Sequence, residues 1–131
     1  MIKGIHHVGI ASADAEKTTS FFTEHLSAEY LCKEVFPEQN QVSINVRMGE
    51  CELEIMEPLS DQGAVAGFIA KKGQGLHHIS VQVTDIASLA EQLEAKGIQI
   101  VGKVFTDPEV HYMFISPKST GGILIELFER F

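Results

Sequence analysis

The strongest constraint on this chain is an internal repeat. Residues 4–8 read Gly-Ile-His-His-Val, and residues 75–79 read Gly-Leu-His-His-Ile, 71 positions later. A second phrase, Gly-Glu-Cys-Glu-Leu-Glu-Ile at 49–55, is echoed 72 positions later by Gly-Gly-Ile-Leu-Ile-Glu-Leu at 121–127. A repeat at fixed spacing indicates one supersecondary unit that occurs twice. We therefore expect two similar halves, each with a His-His strand early and a Glu-bearing strand late.

Hydrophobic patterning gives both halves the same order of elements. Alternation of apolar and polar residues predicts strands, and helical spacing of apolar residues predicts helices, the first of them with Asp14 as its N-cap. The predicted strands are 3–11, 28–35, 41–47, 50–57, 75–84, 98–105, 111–116 and 122–129, and the predicted helices are 14–27, 61–72 and 86–96. The pattern predicts an α+β fold made of two βαβββ modules.

Length and composition indicate one domain that includes both modules. The 131 residues allow a first module at about 1–59, a linking helix at about 60–73 and a second module at about 74–131. No apolar run reaches the roughly 20 residues of a membrane span, and no signal-peptide pattern opens the chain. The net charge of −8 disfavours nucleic acid as a partner. With Cys32 and Cys51 expected to be buried free thiols, we expect a cytoplasmic protein.

Strand parity puts four of the repeated residues on equivalent faces. Successive side chains point to opposite faces of a strand. His7 and His78 therefore share a face with small and polar residues, as in the wall of a cavity. Glu54 and Glu126 likewise point away from the aliphatic residues of their strands. A carboxylate in so apolar a strand is costly to bury unless it is paired or bound to metal, so the four residues predict a metal site.

The other two repeated histidines have a different environment. His6 and His77 share their faces with bulky aliphatic residues, beneath the predicted helices. A histidine in such a place is most often a hydrogen-bonded structural residue. We therefore interpret His6 and His77 as structural.

The predicted ligands also restrict the metal and the chemistry. Imidazole and carboxylate together, without thiolate, suit Co²⁺, Ni²⁺, Mn²⁺, Fe²⁺ or Zn²⁺ and do not favour a closed structural zinc site. Four protein ligands leave two positions on an octahedral ion for a substrate that chelates through two oxygens. Such a metal acts as a Lewis acid on a carbonyl, and a glutamate beside it can remove the adjacent proton.

Several segments of the chain resemble the vicinal oxygen chelate superfamily, which includes glyoxalases, bleomycin-resistance proteins and dioxygenases. Within it the chain is most similar to the methylmalonyl-CoA epimerase family, from end to end. The segments that carry the resemblance are 5–11, 53–59 followed by 64–69, 75–79, and 117–119 with 122–127. The resemblance implies a curved, mixed eight-stranded sheet around a cleft, with the helices outside.

The resemblance also assigns residues and cofactor. It implies that His7, Glu54, His78 and Glu126 are the metal ligands and that Glu126 is also the general base. Cobalt is the usual metal of the family, with Ni²⁺, Mn²⁺ and Zn²⁺ as alternatives. The implied reaction is epimerisation of a 2-substituted acyl-CoA thioester, such as methylmalonyl-CoA, through a metal-stabilised enolate. A homodimer with a small-molecule thioester substrate is expected.

Three other functions stay open at this point. A glyoxalase I-like lactoylglutathione lyase would use the same four ligands, although residues 12–27 lack the arginines that grip glutathione in that family. A non-catalytic small-molecule binder would lack the metal ligands. An Fe²⁺ dioxygenase is disfavoured because it needs only two histidines and one carboxylate.

One departure from the family concerns the second proton carrier that an epimerase needs. Some members have a second glutamate where this chain has Ser43, which is no base at neutral pH. Glu52, Glu50 or a water could take its place, and the sequence does not choose among them. The chain also has Ser116 before Pro117-Lys118, where the family tends to have histidine, and a different loop at 106–111.

Overall fold

A computed structural model describes all residues, 1–131, and contains eight strands, four α-helices and a short 3₁₀ helix at Pro37–Gln39. The strands form one mixed sheet, which confirms the predicted α+β fold. No helix is long and apolar enough to cross a lipid bilayer. The strands are β1 (Ile2–Ala11), β2 (Glu29–Phe36), β3 (Gln41–Met48), β4 (Cys51–Pro58), β5 (Gly75–Val83), β6 (Ile100–Val104), β7 (Val110–Ile115) and β8 (Ile125–Arg130), and the helices are α1 (Ala15–His25), α2 (Ala64–Lys72), α3 (Ile86–Ala95) and α4 (Pro117–Thr120).

The main departure from the predicted elements lies just before the last strand. Helix α4 was not predicted, although Ser116 caps it by accepting a hydrogen bond from the Lys118 amide at 3.2 Å. Strand β8 begins at Ile125 rather than at residue 122, because the amide of Ile123 donates to the Thr120 hydroxyl at 2.8 Å and closes a turn. A four-residue helix is too short to show a hydrophobic period.

The chain divides into two compact units. The first unit comprises residues 7–77, where β1 and β4 pair in parallel and β2, β3 and β4 pair antiparallel. Helix α1 packs on one face of these strands through a cluster of apolar side chains. Helix α2 contributes Val65 to a second cluster that includes Ala11 and Met56. The buried residues of the α1 cluster are Ala15, Ile44, Val46 and Ile55.

The second unit comprises residues 1–6 and 78–131. Its strands repeat the pairing of the first unit, with β5 and β8 parallel and β6, β7 and β8 antiparallel. Helix α3 occupies the place that α1 has in the first unit. The buried residues of its core are Val83, Ile86, Ala90, Met113 and Leu127. Each unit therefore has its own apolar core between one helix and its strands.

The repeat also includes the contacts at the start of each major helix. The Glu57 carboxylate accepts a hydrogen bond from the Ala15 amide at 2.8 Å, at the start of α1. The Glu129 carboxylate accepts from the amides of Asp85 and Ile86 at 2.6 and 3.1 Å, at the start of α3. These glutamates are 72 positions apart, as Glu54 and Glu126 are, so the late strand of each unit caps its helix.

The cysteine prediction is wrong for Cys32. Its side chain is exposed, whereas Cys51 is partly buried, and neither cysteine forms a disulfide. Cys32 lies in β2, which pairs only with β3 and has a register shift between Tyr30 and Cys32. An edge strand with an irregular register leaves more of its side chains in contact with solvent.

Candidate metal centre

Three of the four predicted ligands come together in the structure. His7, Glu54 and His78 each offer one ligand atom, and these three atoms all lie within 4.8 Å of one another. His78 is buried, and the side chains of His7 and Glu54 are 14% and 20% exposed. The group is therefore largely shielded from solvent but still partly exposed. A centre that exchanges bound water for a substrate needs such partial exposure.

Strand geometry accounts for the approach of His7 to Glu54. Strands β1 and β4 run parallel, with Gly9 opposite Glu54 and His7 opposite Glu52. Because alternate residues share a face, His7 and Glu54 point to the same side of the sheet. The Nε2 atom of His7 lies 3.6 Å from Oε1 of Glu54. Gly9 has no side chain to separate the two groups.

The three residues fit a divalent transition metal. Two imidazole nitrogens and one carboxylate oxygen suit Co²⁺, Ni²⁺, Mn²⁺ or Zn²⁺. Protein ligands lie about 2.0–2.2 Å from such an ion, so two ligand atoms of one ion are at most about 4.4 Å apart. The atoms of this group lie within 4.8 Å of one another. Side-chain movements of a few tenths of an ångström would bring them around one cation.

Glu126, the fourth predicted ligand, is not a member of this three-residue group. It lies in β8 opposite Ser80 of β5, and the Ser80 hydroxyl donates a hydrogen bond to its Oε1 at 2.6 Å. Burial raises the pKa of the Glu126 carboxyl, and the hydrogen bond from Ser80 offsets part of that rise. A raised pKa makes a carboxylate a better proton acceptor, which suits the predicted role of Glu126 as a base.

Ser80 is a site residue that the sequence did not identify. Its side chain is fully buried, at 0% exposure, so its hydroxyl needs a hydrogen-bonding partner and has one in Glu126. The sequence contained a signal, because strand parity puts Ser80 on the same face as His78. The repeat places Ser80 at the position that Gly9 has in the first unit.

Ser43 is not an acid–base group in this structure. It is 1% exposed, and its Oγ accepts a hydrogen bond from the side-chain amide of Gln41 at 3.0 Å. Both residues lie in β3 and are buried. An alcohol has no useful acidity near neutral pH, so the hydroxyl of Ser43 cannot replace a carboxylate there.

The two histidines interpreted as structural pack against aromatic rings. His6 makes an edge-to-face contact with Phe128 at 5.2 Å between ring centroids, and His77 makes one with Phe68 at 4.8 Å. Burial lowers the pKa of the His77 imidazole, and the charge of Lys72 lowers it further. Neither histidine belongs to the three-residue group.

Comparison with known proteins identifies the family. The model of the Glyoxalase/Bleomycin resistance protein/Dioxygenase superfamily matches residues 4–127. The chain belongs to this superfamily. The match includes both His-His segments and both Glu-bearing segments of the repeat, which are residues 4–8, 49–55, 75–79 and 121–127.

Individual relatives show which members of the superfamily this chain is similar to. The uncharacterized protein YqjC of Bacillus subtilis (strain 168) is 35% identical, over 95% of this chain and 91% of its own length. Human mitochondrial methylmalonyl-CoA epimerase is 31% identical, over 94% of this chain and 72% of its own. The Streptomyces coelicolor methylmalonyl-CoA epimerase, solved as a variant in complex with 2-nitronate-propionyl-CoA, superposes with a TM-score of 0.88 at 27% identity and 99% coverage of both chains.

These comparisons confirm the predicted superfamily. They also confirm the prediction of an enzyme similar to the methylmalonyl-CoA epimerases. They do not identify the metal or the site residues. Glu126 as ligand and base, Co²⁺ as the cation, the homodimer and the cytoplasmic location stay predictions.

Proposed function

We propose that this protein is a metal-dependent epimerase that removes the α-proton of a 2-substituted acyl-CoA thioester similar to methylmalonyl-CoA. The observation that supports the proposal most directly is the cluster of His7, Glu54 and His78, whose ligand atoms lie within 4.8 Å of one another. The likeness to a methylmalonyl-CoA epimerase solved with 2-nitronate-propionyl-CoA supports the class of substrate.

In this proposal His7, Glu54 and His78 hold a divalent cation, with Co²⁺ as the first choice and Ni²⁺, Mn²⁺ and Zn²⁺ as alternatives. When bound, such a cation supplies positive charge that polarises the thioester carbonyl and makes the adjacent C–H more acidic. His78 is buried, and its neighbour His77 packs on Phe68, so the strand that presents His78 is fixed on its other face.

Glu126 removes the α-proton in this proposal. Its carboxylate is partly buried, and this burial raises its pKa and so strengthens it as a base. Phe114 is its register partner on β7, and Ser80 is its partner on β5. One carboxylate oxygen accepts the Ser80 hydrogen bond, and in this proposal the other oxygen receives the proton.

For the second acid–base group, which returns a proton to the opposite face of the α-carbon, we propose Glu52. It lies two residues before Glu54 on the same face of β4, and it pairs in register with His7 of the ligand group. Glu50 lies in the exposed turn before β4, and Ser43 carries no acid–base group. Glu52 is therefore the candidate with a carboxylate on the face that holds the ligands.

The proposed function is tested by incubating the purified protein, loaded with Co²⁺, with one epimer of methylmalonyl-CoA in D₂O. We expect loss of the α-proton signal by NMR together with the appearance of the other epimer on chiral analysis. The same protein treated with a chelator is expected to lose both activities. A Co²⁺-loaded protein that neither exchanges the proton nor forms the other epimer would exclude this function.

The proposed role of Glu52 is tested by measuring α-proton exchange and inversion separately. In Glu52→Gln we expect α-proton exchange from one epimer to persist while inversion to the other is lost, because only one face still has a proton carrier. Glu50→Gln, two residues away in the exposed turn, is the matched control and should invert normally. Normal inversion by Glu52→Gln would show that a different group returns the proton.

A further inference from the structure

The second unit has a buried hydroxyl that the first unit lacks at the same place in its sheet. Glu54 lies opposite Gly9, and Glu126 lies opposite Ser80, in equivalent parallel strand pairs. Ser80 is 0% exposed and donates to Oε1 of Glu126 at 2.6 Å. The repeat therefore keeps the register of the two glutamates and changes the side chain opposite each of them.

This hydrogen bond is well suited to orient a carboxylate. A hydrogen bond to a charged oxygen is shorter and about twice as strong as one between neutral groups. Ser80 lies in the middle of β5 and its side chain is enclosed, so the hydroxyl has little freedom to turn away from Glu126. A carboxylate with one oxygen held in this way presents its other oxygen in a fixed direction.

We propose that Ser80 is a positioning residue that orients Glu126 for proton transfer. This inference rests on the proposed function, in which Glu126 is the base. Ser80 does not touch the reacting carbon in this account, and it acts only through the carboxylate. It makes the two glutamates functionally unequal, because Gly9, the register partner of Glu54, has no side chain that could donate a hydrogen bond.

The test compares Ser80→Ala with wild type in the α-proton exchange of methylmalonyl-CoA in D₂O, with the thermal midpoint and Co²⁺ binding measured alongside. We expect kcat to fall about 10- to 100-fold, the effect of losing a hydrogen bond to a charged group, while KM stays within about twofold. Ser80→Thr keeps the hydroxyl and should restore most of the kcat. Ser80→Cys replaces the hydroxyl with a somewhat larger thiol, which is a weaker donor, and its kcat should fall between those of Ser80→Ala and wild type.

Ser12→Ala is the matched control for the loss of a buried hydroxyl. Ser12 is 2% exposed, its hydroxyl bonds with the Thr18 hydroxyl at 2.8 Å, and it belongs to the compact unit that does not contain Glu126. We expect Ser12→Ala to lower the thermal midpoint and to leave kcat unchanged.

Three outcomes are decisive. A wild-type kcat in Ser80→Ala would overturn the inference, even if wild type exchanges protons as proposed. The inference would also be overturned if Ser80→Ala and Ser12→Ala lost kcat equally and in proportion to their loss of thermal stability. If wild type itself exchanges no proton, the proposed function fails first, and the role of Ser80 fails with it. Should Ser80→Ala not fold, Ser80→Cys gives the same comparison with a weaker donor in place of the hydroxyl.

Discussion

The two units of this protein hold their central glutamates in the same backbone arrangement but give them different neighbours. In the first unit Glu54 lies between Gly9 on β1 and Asn45 on β3. Its Oε1 is 3.6 Å from Nε2 of His7. A small residue and a polar residue beside it leave the carboxylate accessible to a cation.

In the second unit Glu126 lies between Ser80 on β5 and Phe114 on β7. Its neighbours are a buried hydroxyl that donates to it and an aromatic residue, and burial raises its pKa. The comparison teaches that the repeated register determines where each carboxylate lies, whereas the residues in adjacent strands determine which groups surround it. On this basis we propose that Glu54 is a metal ligand and that Glu126 transfers the proton, while the role of Glu126 as a fourth ligand stays a prediction.

The largest expected difference between the units comes from removing each carboxylate's charge. Glu126→Gln should lower kcat for α-proton exchange about 10²- to 10⁴-fold, the usual effect of losing a general base. Glu54→Gln keeps an oxygen that can bind a metal and should lower kcat about tenfold, through weaker metal affinity that excess Co²⁺ restores. Kinetics at rising Co²⁺ concentration measure both effects. Similar losses that excess metal restores in both variants would contradict the division of roles.

A smaller difference is expected at the helix starts. Glu129 accepts from two amides of α3, whose N-cap Asp85 makes no side-chain capping bond, whereas Asp14 also caps α1 through the Lys17 amide. Glu129→Ala should therefore lower the free energy of unfolding by about 2 kcal/mol, and Glu57→Ala by about 1 kcal/mol. Urea unfolding followed by circular dichroism gives both values. A larger loss of unfolding free energy in Glu57→Ala than in Glu129→Ala would show that the number of hydrogen bonds does not determine how much each cap stabilises its helix.

The smallest expected effect is on stability, at one buried position that corresponds in α1 and α3. Thr19 in α1 is buried with no hydrogen-bonding partner for its hydroxyl, and the repeat places Ala90 of α3 at the same point. Thr19→Val keeps the shape and removes the unsatisfied hydroxyl, so we expect unfolding to cost about 1 kcal/mol more. Thr18→Val is the control, because the Thr18 hydroxyl bonds to Ser12 and its loss should destabilise. Destabilisation by Thr19→Val in the same urea experiment would refute this account of Thr19.

The sequence was sufficient for the order of the eight strands and for three of the four residues of the predicted ligand group, His7, Glu54 and His78. Both depend on local periodicity, since alternation along one strand decides which face a side chain occupies. The repeat then supplied the correspondence between the halves. A strand with strong alternation, such as β1 or β5, therefore showed its functional face before its partners were known.

The remaining contacts depend on tertiary structure. The hydrogen bond from Ser80 to Glu126 requires the register of β5 against β8, which no single strand encodes. The cap that Glu129 provides joins two elements far apart in the sequence. The exposure of Cys32 follows from the edge position of β2, which alternation does not reveal. These features could be interpreted only after the strands were placed beside one another.

The central claim is that one divalent cation, held by the histidine and glutamate group, is required for proton removal. It is tested most directly by titrating metal-free protein with Co²⁺ and measuring α-proton exchange of methylmalonyl-CoA in D₂O at each step. We expect the rate to rise linearly and to stop rising at about one equivalent per chain, with no rise in His78→Ala. A rate that does not depend on added metal would contradict the account.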